Sequence, residues 1–231
     1  MAKNNSYEII IQPNRSWFYL DWQGLLHYQD LLLLLVRRDF VSKYKQTILG
    51  PLWFIIQPLL TSVVFTIIFN RIANISTDTV PPFLFYLCGL TIWNYFAGCL
   101  DRTSVSFIEN AQLFGKVYFP RIIVPLSNIT SNLLTFGIQL ATFLGFYIYF
   151  KYFIQAGVNI KPNLVILMLP LLLLQTAAFS LGIGLWMAAL TAKYRDLRHL
   201  MAFLIQLWLY ATPVIYPVST IPERFRFILF I

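Results

Sequence analysis

The sequence predicts an all-α integral membrane protein, a polytopic helical bundle with five spans and an N-terminal interfacial helix. Two observations carry that expectation. Residues 49–70, 83–100, 122–150, 164–192 and 200–222 contain no Asp, Glu, Lys, Arg or His. About 20 apolar residues in a helix cross the hydrocarbon layer of a bilayer, where a buried charge is costly. In addition, 58% of the 231 residues are hydrophobic and 11% are charged, whereas soluble domains carry roughly a quarter of charged residues. Lipid can cover that much apolar surface, and a soluble core cannot.

The elements follow in chain order. The first 24 residues are polar and aromatic, with Trp17, Phe18, Tyr19 and Trp22 suited to the headgroup layer. Residues 28–45 read as a helix that is apolar over 31–36 and then basic through Arg37, Arg38, Lys43 and Lys45. Its apolar part is too short to span, so it is expected to lie along the interface, and no cleavable signal peptide is visible. In span one, Pro51 near the start forfeits no hydrogen bond, while Pro58 in the interior should kink the helix. Span two is rich in aromatics, among them Tyr86, Trp93 and Tyr95. Within the following loop, 101–121, residues 105–116 are expected to form one or two short helices parallel to the membrane.

Span three places Asn128, Ser131, Asn132, Thr135, Gln139 and Thr142 within about 60° of one line at 100° per residue. Such a stripe either lines a path for a polar substrate or binds neighbouring helices through hydrogen bonds. Span four contains Ala178, Gly182, Gly184 and Ala188, with Ser180 four residues before Gly184, and small residues at that spacing let helices approach closely. Span five begins at Leu200 and meets Pro213 and Pro217, so it should end irregularly. The whole reads as a single domain: an N-terminal region to residue 48, spans over 49–222, and a tail from 223 to 231.

Charge sets the orientation. With the N-terminus inside, twelve Lys and Arg lie in inner segments and five in outer ones, so the positive-inside rule predicts a cytoplasmic N-terminus. The net charge of +8 is spread over span ends and short loops, which offers no patch able to hold nucleic acid. Cys88 and Cys99 lie eleven residues apart in span two, a spacing for neither a disulfide framework nor a metal site. His27 and His199 stand at membrane borders, neither paired with an acidic or Cys cluster. No phosphate-cradling Gly-rich loop is present, and no titratable group inside the spans could couple transport to ions. Asp101 and Glu109 are the nearest candidates for an acid–base pair of a membrane glycosyl- or acyltransferase, but they lack a partner motif. A polar path without coupling chemistry points to energy supplied by a cytoplasmic partner.

Several local sequences stand in order along the chain: Arg38-Asp39, Tyr44-Lys45-Gln46-Thr47, Leu49-Gly50-Pro51-Leu52-Trp53 and Gln57-Pro58-Leu59. Asn110-Ala111, Lys116-Val117-Tyr118-Phe119-Pro120-Arg121 and Tyr194-Arg195-Asp196 follow. Thr212-Pro213-Val214-Ile215-Tyr216-Pro217 and Ile221-Pro222-Glu223-Arg224 complete the set. Together they resemble the membrane subunits of bacterial ABC exporters for O-antigen, other polysaccharides and teichoic acids. The match covers about residues 35–224.

The resemblance implies a half-channel in the bacterial inner membrane that works as a homodimer, with no cofactor of its own and ATP-Mg held by two cytoplasmic ATPase subunits. It marks Arg37, Arg38, Asp39, Lys43, Tyr44, Lys45, Glu109, Asn110, Gln112, Lys116, Tyr118 and Arg121 for ATPase contact. It also implies a tunnel lined partly by aromatic rings. Trp53, Tyr86, Trp93, Tyr95, Trp208 and Tyr210 are the candidate lining, beside the polar stripe of span three. The function expected is export of a lipid-linked, O-antigen-like polysaccharide. A teichoic-acid or small-drug permease is the alternative within the same fold, and the transferase using Asp101 and Glu109 is the rival class. Members of the family continue with an outer re-entrant segment and a final span. The stop at Ile231 therefore leads to the expectation of a truncated product or a lost sixth span.

Overall fold

A computed structural model describes residues 22–45, 47–78, 80–154 and 164–220, and within them every regular element is helical. Helices α1 (Trp22–His27) and α2 (Gln29–Ser42) lead to a short turn, Gly50–Leu52, and α3 (Trp53–Phe65), prolonged by a π-helical stretch, Thr66–Ile72. Helices α4 (Pro82–Ser104), α5 (Ser106–Glu109) and α6 (Ala111–Lys116) precede α7 (Ile123–Tyr149), which runs on into a π turn, Phe150–Ile154. After the turn Leu164–Met168 come α8 (Leu169–Lys193) and α9 (Leu197–Ala211). The two short helices expected between spans two and three are α5 and α6. Trp17, Phe18, Tyr19 and the tail 221–231 lie outside the described residues.

Among the described residues, four helical segments are long and apolar enough to cross a membrane: Gly50–Ile72, Pro82–Ser104, Ile123–Phe153 and Ile166–Lys193. The first two have 23 residues each, about 34 Å of helix. The first runs unbroken through Pro58. The fifth apolar helix, α9, differs from its expected run over 200–222. It starts at Leu197, has 15 residues and measures about 22 Å. Pro213 ends it, because a residue before proline is driven out of helical geometry, and Thr212 sits at φ −91°, ψ 153°. From there the chain is irregular as far as a single turn, Val218–Thr220.

Helix α4 is the centre of the bundle and packs against α3, α7, α8 and α9. Of its most apolar stretch 56% is buried within the protein, against 11% or less for the other three. The rest present their Leu and Ile side chains outward, as Ile67 and Ile68 of the π-helical stretch after α3 and Leu171, Leu172 and Leu174 of α8 do. The α4–α8 seam depends on small residues. Ser180, Gly184, Ala188 and Thr191 are all buried there. A Cβ on Gly184 would stand 2.6 Å from Thr103 Cβ, and Thr191 Oγ1 donates to the Ser104 carbonyl at 2.6 Å. Ala178 and Gly182 point away and are exposed.

Tyr95 and Cys99 of α4 close with Ile129 and Phe136 of α7 into a second core. Helix α2 lies on the start of α7, where Leu35 meets Phe119, Ile123 and Val124. Its other side exposes Leu33 and Leu34, 61% and 62% accessible. A helix apolar on both sides and followed by Arg37 and Arg38 suits a lipid interface. At the opposite end of the bundle, Ser219 Oγ donates to the Asp78 carboxylate at 3.0 Å and ties the segment after α9 to the α3–α4 loop.

Candidate functional site

One end of the bundle gathers α2, the α5–α6 segment and the start of α9. Arg38 of α2 donates through Nε to Asp39 Oδ1 at 2.8 Å and through Nη2 to Asn110 Oδ1 at 3.1 Å. Asn110 Nδ2 in turn donates to the Ser106 carbonyl at 3.0 Å. Arg198, at the start of α9, pairs with Glu109 at 3.1 Å. Both partners of that pair are substantially exposed, so its contribution to stability is small and its effect is to fix position. Three helices, α2, α5 and α9, are thus tied together at the α5–α6 junction by contacts that take in Arg38, Asp39, Glu109 and Asn110 from the residues marked for ATPase contact.

The remaining marked residues divide. Arg37, Lys45, Gln112, Lys116 and Arg121 are exposed, and Tyr118 is 81% accessible. Tyr44 is half-buried against Phe40 and Phe54. Asp39 and Lys43 are corrections to the expected surface. Asp39 is only 8% accessible. Lys43 turns inward, and its ammonium donates to Asn132 Oδ1 at 2.9 Å and Thr135 Oγ1 at 3.4 Å. Burial, together with the neighbouring Arg102 charge, brings Lys43 down to about 8, while Asp39 opposes the shift. The cause of the inward turn is local. Lys43 follows the end of α2 and stands over the polar stripe of α7, where two oxygens accept its protons.

Between α3, α4, α7 and α9 lies a cleft of about 460 Å³, lined by Gln57, Asn94, Ala97, Gly98, Asp101, Gln139, Ala202 and Ile205. Asn94, Ala97, Gly98 and Asp101 follow the i, i+3, i+4, i+7 pattern of one helix face. Asn94 is near the midpoint of α4 and is exposed, as are Gln57 and Asp101. An exposed amide at that depth is costly against hydrocarbon, so a polar medium belongs on this side of α4. Three amides that both donate and accept, with one carboxylate, can bind hydroxyl-rich groups through exchangeable hydrogen bonds. Asp101 faces the cleft while Glu109 is held by Arg198, so the two carboxylates of the transferase alternative have separate settings.

The expected path residues scatter. Of the stripe on α7, Gln139 reaches the cleft. Asn128 donates to the Arg102 carbonyl at 3.2 Å, Ser131 is buried, and Asn132 and Thr135 accept from Lys43. Asn128, Asn132 and Thr135 hold helices together, while the buried Ser131 hydroxyl has no partner among the described residues. Tyr86, Trp93 and Tyr95 are corrections: they are 0%, 8% and 3% accessible and lie in the interior instead of along an open path. Tyr86 packs on Phe65 and Phe69, Trp93 on Phe96, and Tyr95 on Phe136. The physical reason is the central place of α4, which turns its aromatic faces into the core. Trp53, Trp208 and Tyr210 are exposed. Gln57, Asn94 and Asp101 were missed as lining. Their signal was the single interior amide in each of two charge-free spans, Gln57 and Asn94, and the seven-residue step from Asn94 to Asp101.

The profile of a family described as ABC-2 type transporter matches residues 30–231. The chain is 32% identical over 202 residues to a Klebsiella pneumoniae protein named O-antigen export system permease protein RfbA, covering 87% of this chain and 74% of that one. A second protein of the same name from that organism is 31% identical over 201 residues, with the same coverage. A Myxococcus xanthus protein of that name is 29% identical over 200 residues, covering 87% of this chain and 73% of its own.

Proposed function

The chain belongs to the ABC-2 type transporter family, and from that premise we propose that it is the permease subunit of an exporter moving a lipid-linked, O-antigen-like polysaccharide out of the cytoplasm. The protein sits in the bacterial inner membrane with its N-terminus inside and acts as a homodimer. A separate ATPase subunit binds and hydrolyses ATP at the end built from α2, α5, α6 and the start of α9.

The observation that carries the reading is the amide-lined cleft at the depth of an otherwise charge-free bundle. Amides meet sugar hydroxyls with hydrogen bonds of modest individual strength, so a polymer can be held at several points and still slide. No charged group needs to be desolvated along the way except Asp101 at the α4 end. The names of the relatives support a polysaccharide cargo over a teichoic acid or a small drug. The cluster of Arg38, Asn110, Glu109 and Arg198 supports a motor-docking role, since one displacement there is felt by α2, α5 and α9 at once.

Co-purification tests the motor half. An ABC ATPase encoded beside the permease is expected to be recovered with it from detergent extracts. Arg38→Glu removes the bonds to Asp39 and Asn110 and sets a second carboxylate beside Asp39. Recovery of the ATPase should fall by about tenfold, equivalent to ~1.4 kcal/mol. Equal recovery with the charge-reversed protein would remove Arg38 and its cluster from the docking surface.

A further inference from the structure

Lys43 occupies a position that neither orientation in the membrane nor ATPase contact explains. Its ammonium has left the surface and enters the seam between α2, α4 and α7, bonded to Asn132 and Thr135. Asn132 is itself 7% accessible. Its Oδ1 lies against the bare face of Gly98, where a Cβ would stand only 3.1 Å away. Gly98 in turn forms part of the wall of the cleft. A single chain of contacts thus runs from the end of α2 through Lys43, Asn132 and Gly98 to the cleft.

We propose that Lys43 is a positioning residue that fastens α2 to the wall of the translocation cleft, so that movement of α2 is delivered to α7 and α4 through the Lys43–Asn132 bond. The inference rests on the permease reading above. A long, flexible side chain held at its tip by two acceptors transmits displacement only while those bonds persist. The charged ammonium holds them more strongly than a neutral amine, because charge-assisted hydrogen bonds are the stronger kind. The charged and titratable groups facing it are Asp39 from α2 and Arg102 and Cys99 from α4. With Lys43 brought down to about 8, the ammonium is lost as pH rises through that value, and the fastening weakens in the same direction. A guanidinium at this position would keep its charge throughout.

The test uses inverted inner-membrane vesicles containing the permease–ATPase complex and endogenous lipid-linked glycan labelled with a radioactive sugar. ATP-driven movement of label into the lumen and ATP hydrolysis are measured together from pH 7 to pH 9. Label moved per ATP by the wild type is expected to fall at least about threefold over that range, and Lys43→Arg should flatten the profile. Lys43→Met should lower the ratio about tenfold at every pH while the ATPase is still recovered with the permease. Wild-type transport by Lys43→Met, or a Lys43→Arg profile that falls as the wild type does, would overturn the proposal. Should Lys43→Met fail to accumulate, the Lys43→Arg profile decides alone. Failure of the permease reading looks different, because deletion of the whole chain would then leave glycan export intact.

Discussion

Gly184→Ala is expected to destabilise the bundle by about 3 kcal/mol, although the substitution adds one methyl group. Alanine is ordinarily the better helix residue, by up to ~1 kcal/mol, so the sign has to come from packing. The new Cβ would lie 2.6 Å from both Cβ and Cγ2 of Thr103. The first of these is fixed to the α4 backbone and cannot rotate away, so the two helices must separate. Separation stretches the 2.6 Å bond from Thr191 to the Ser104 carbonyl and opens the core where Met187 meets Trp93 and Leu100. Gly182→Ala is the control, with nothing within 4 Å of the added atom. It should melt at or above the wild-type temperature. Thermal unfolding in detergent, followed by tryptophan fluorescence, measures both. Equal melting of the two variants would refute the close α4–α8 seam.

Gln139→Leu is expected to cut export by about tenfold, or ~1.4 kcal/mol in the barrier, with little loss of stability. Leucine has nearly the volume of glutamine, and the site is 8% accessible, so the packing of α7 survives. What changes is the cleft, which loses the only polar contribution of α7 among its lining residues. Surface glycan in cells carrying the variant, compared with the amount of permease in the membrane, separates transport from folding. A proportional fall in both would assign Gln139 to the fold and remove it from the path.

Much of the fold was legible because a bilayer imposes a simple rule. Charge-free runs of membrane length must be helical, and the four long helices lie where those runs lie. The prolines at 213 and 217 announced the irregular end of α9, and the loop after span two showed its two short helices. The site was less legible. Periodicity shows which residues share a face, but it does not say what covers that face. The α7 stripe met that limit: α2 and α4 cover Asn128, Ser131 and Asn132, and only Gln139 reaches the cleft. Three of the six aromatic candidates met the same limit, since Tyr86, Trp93 and Tyr95 sit on the one helix that is surrounded by protein. Lys43 was misplaced because a basic residue after an interfacial helix belongs by default to the surface, and only tertiary packing shows the acceptors beneath it.

The central claim is that this chain carries lipid-linked glycan across the inner membrane. Its most direct test is a clean deletion of the gene, with surface glycan and cytoplasm-facing lipid-linked glycan quantified in the same cells. Loss of the surface polymer with accumulation of the lipid-linked form, reversed by the wild-type gene on a plasmid, is the predicted result. Unchanged surface glycan in the deletion strain would contradict the account.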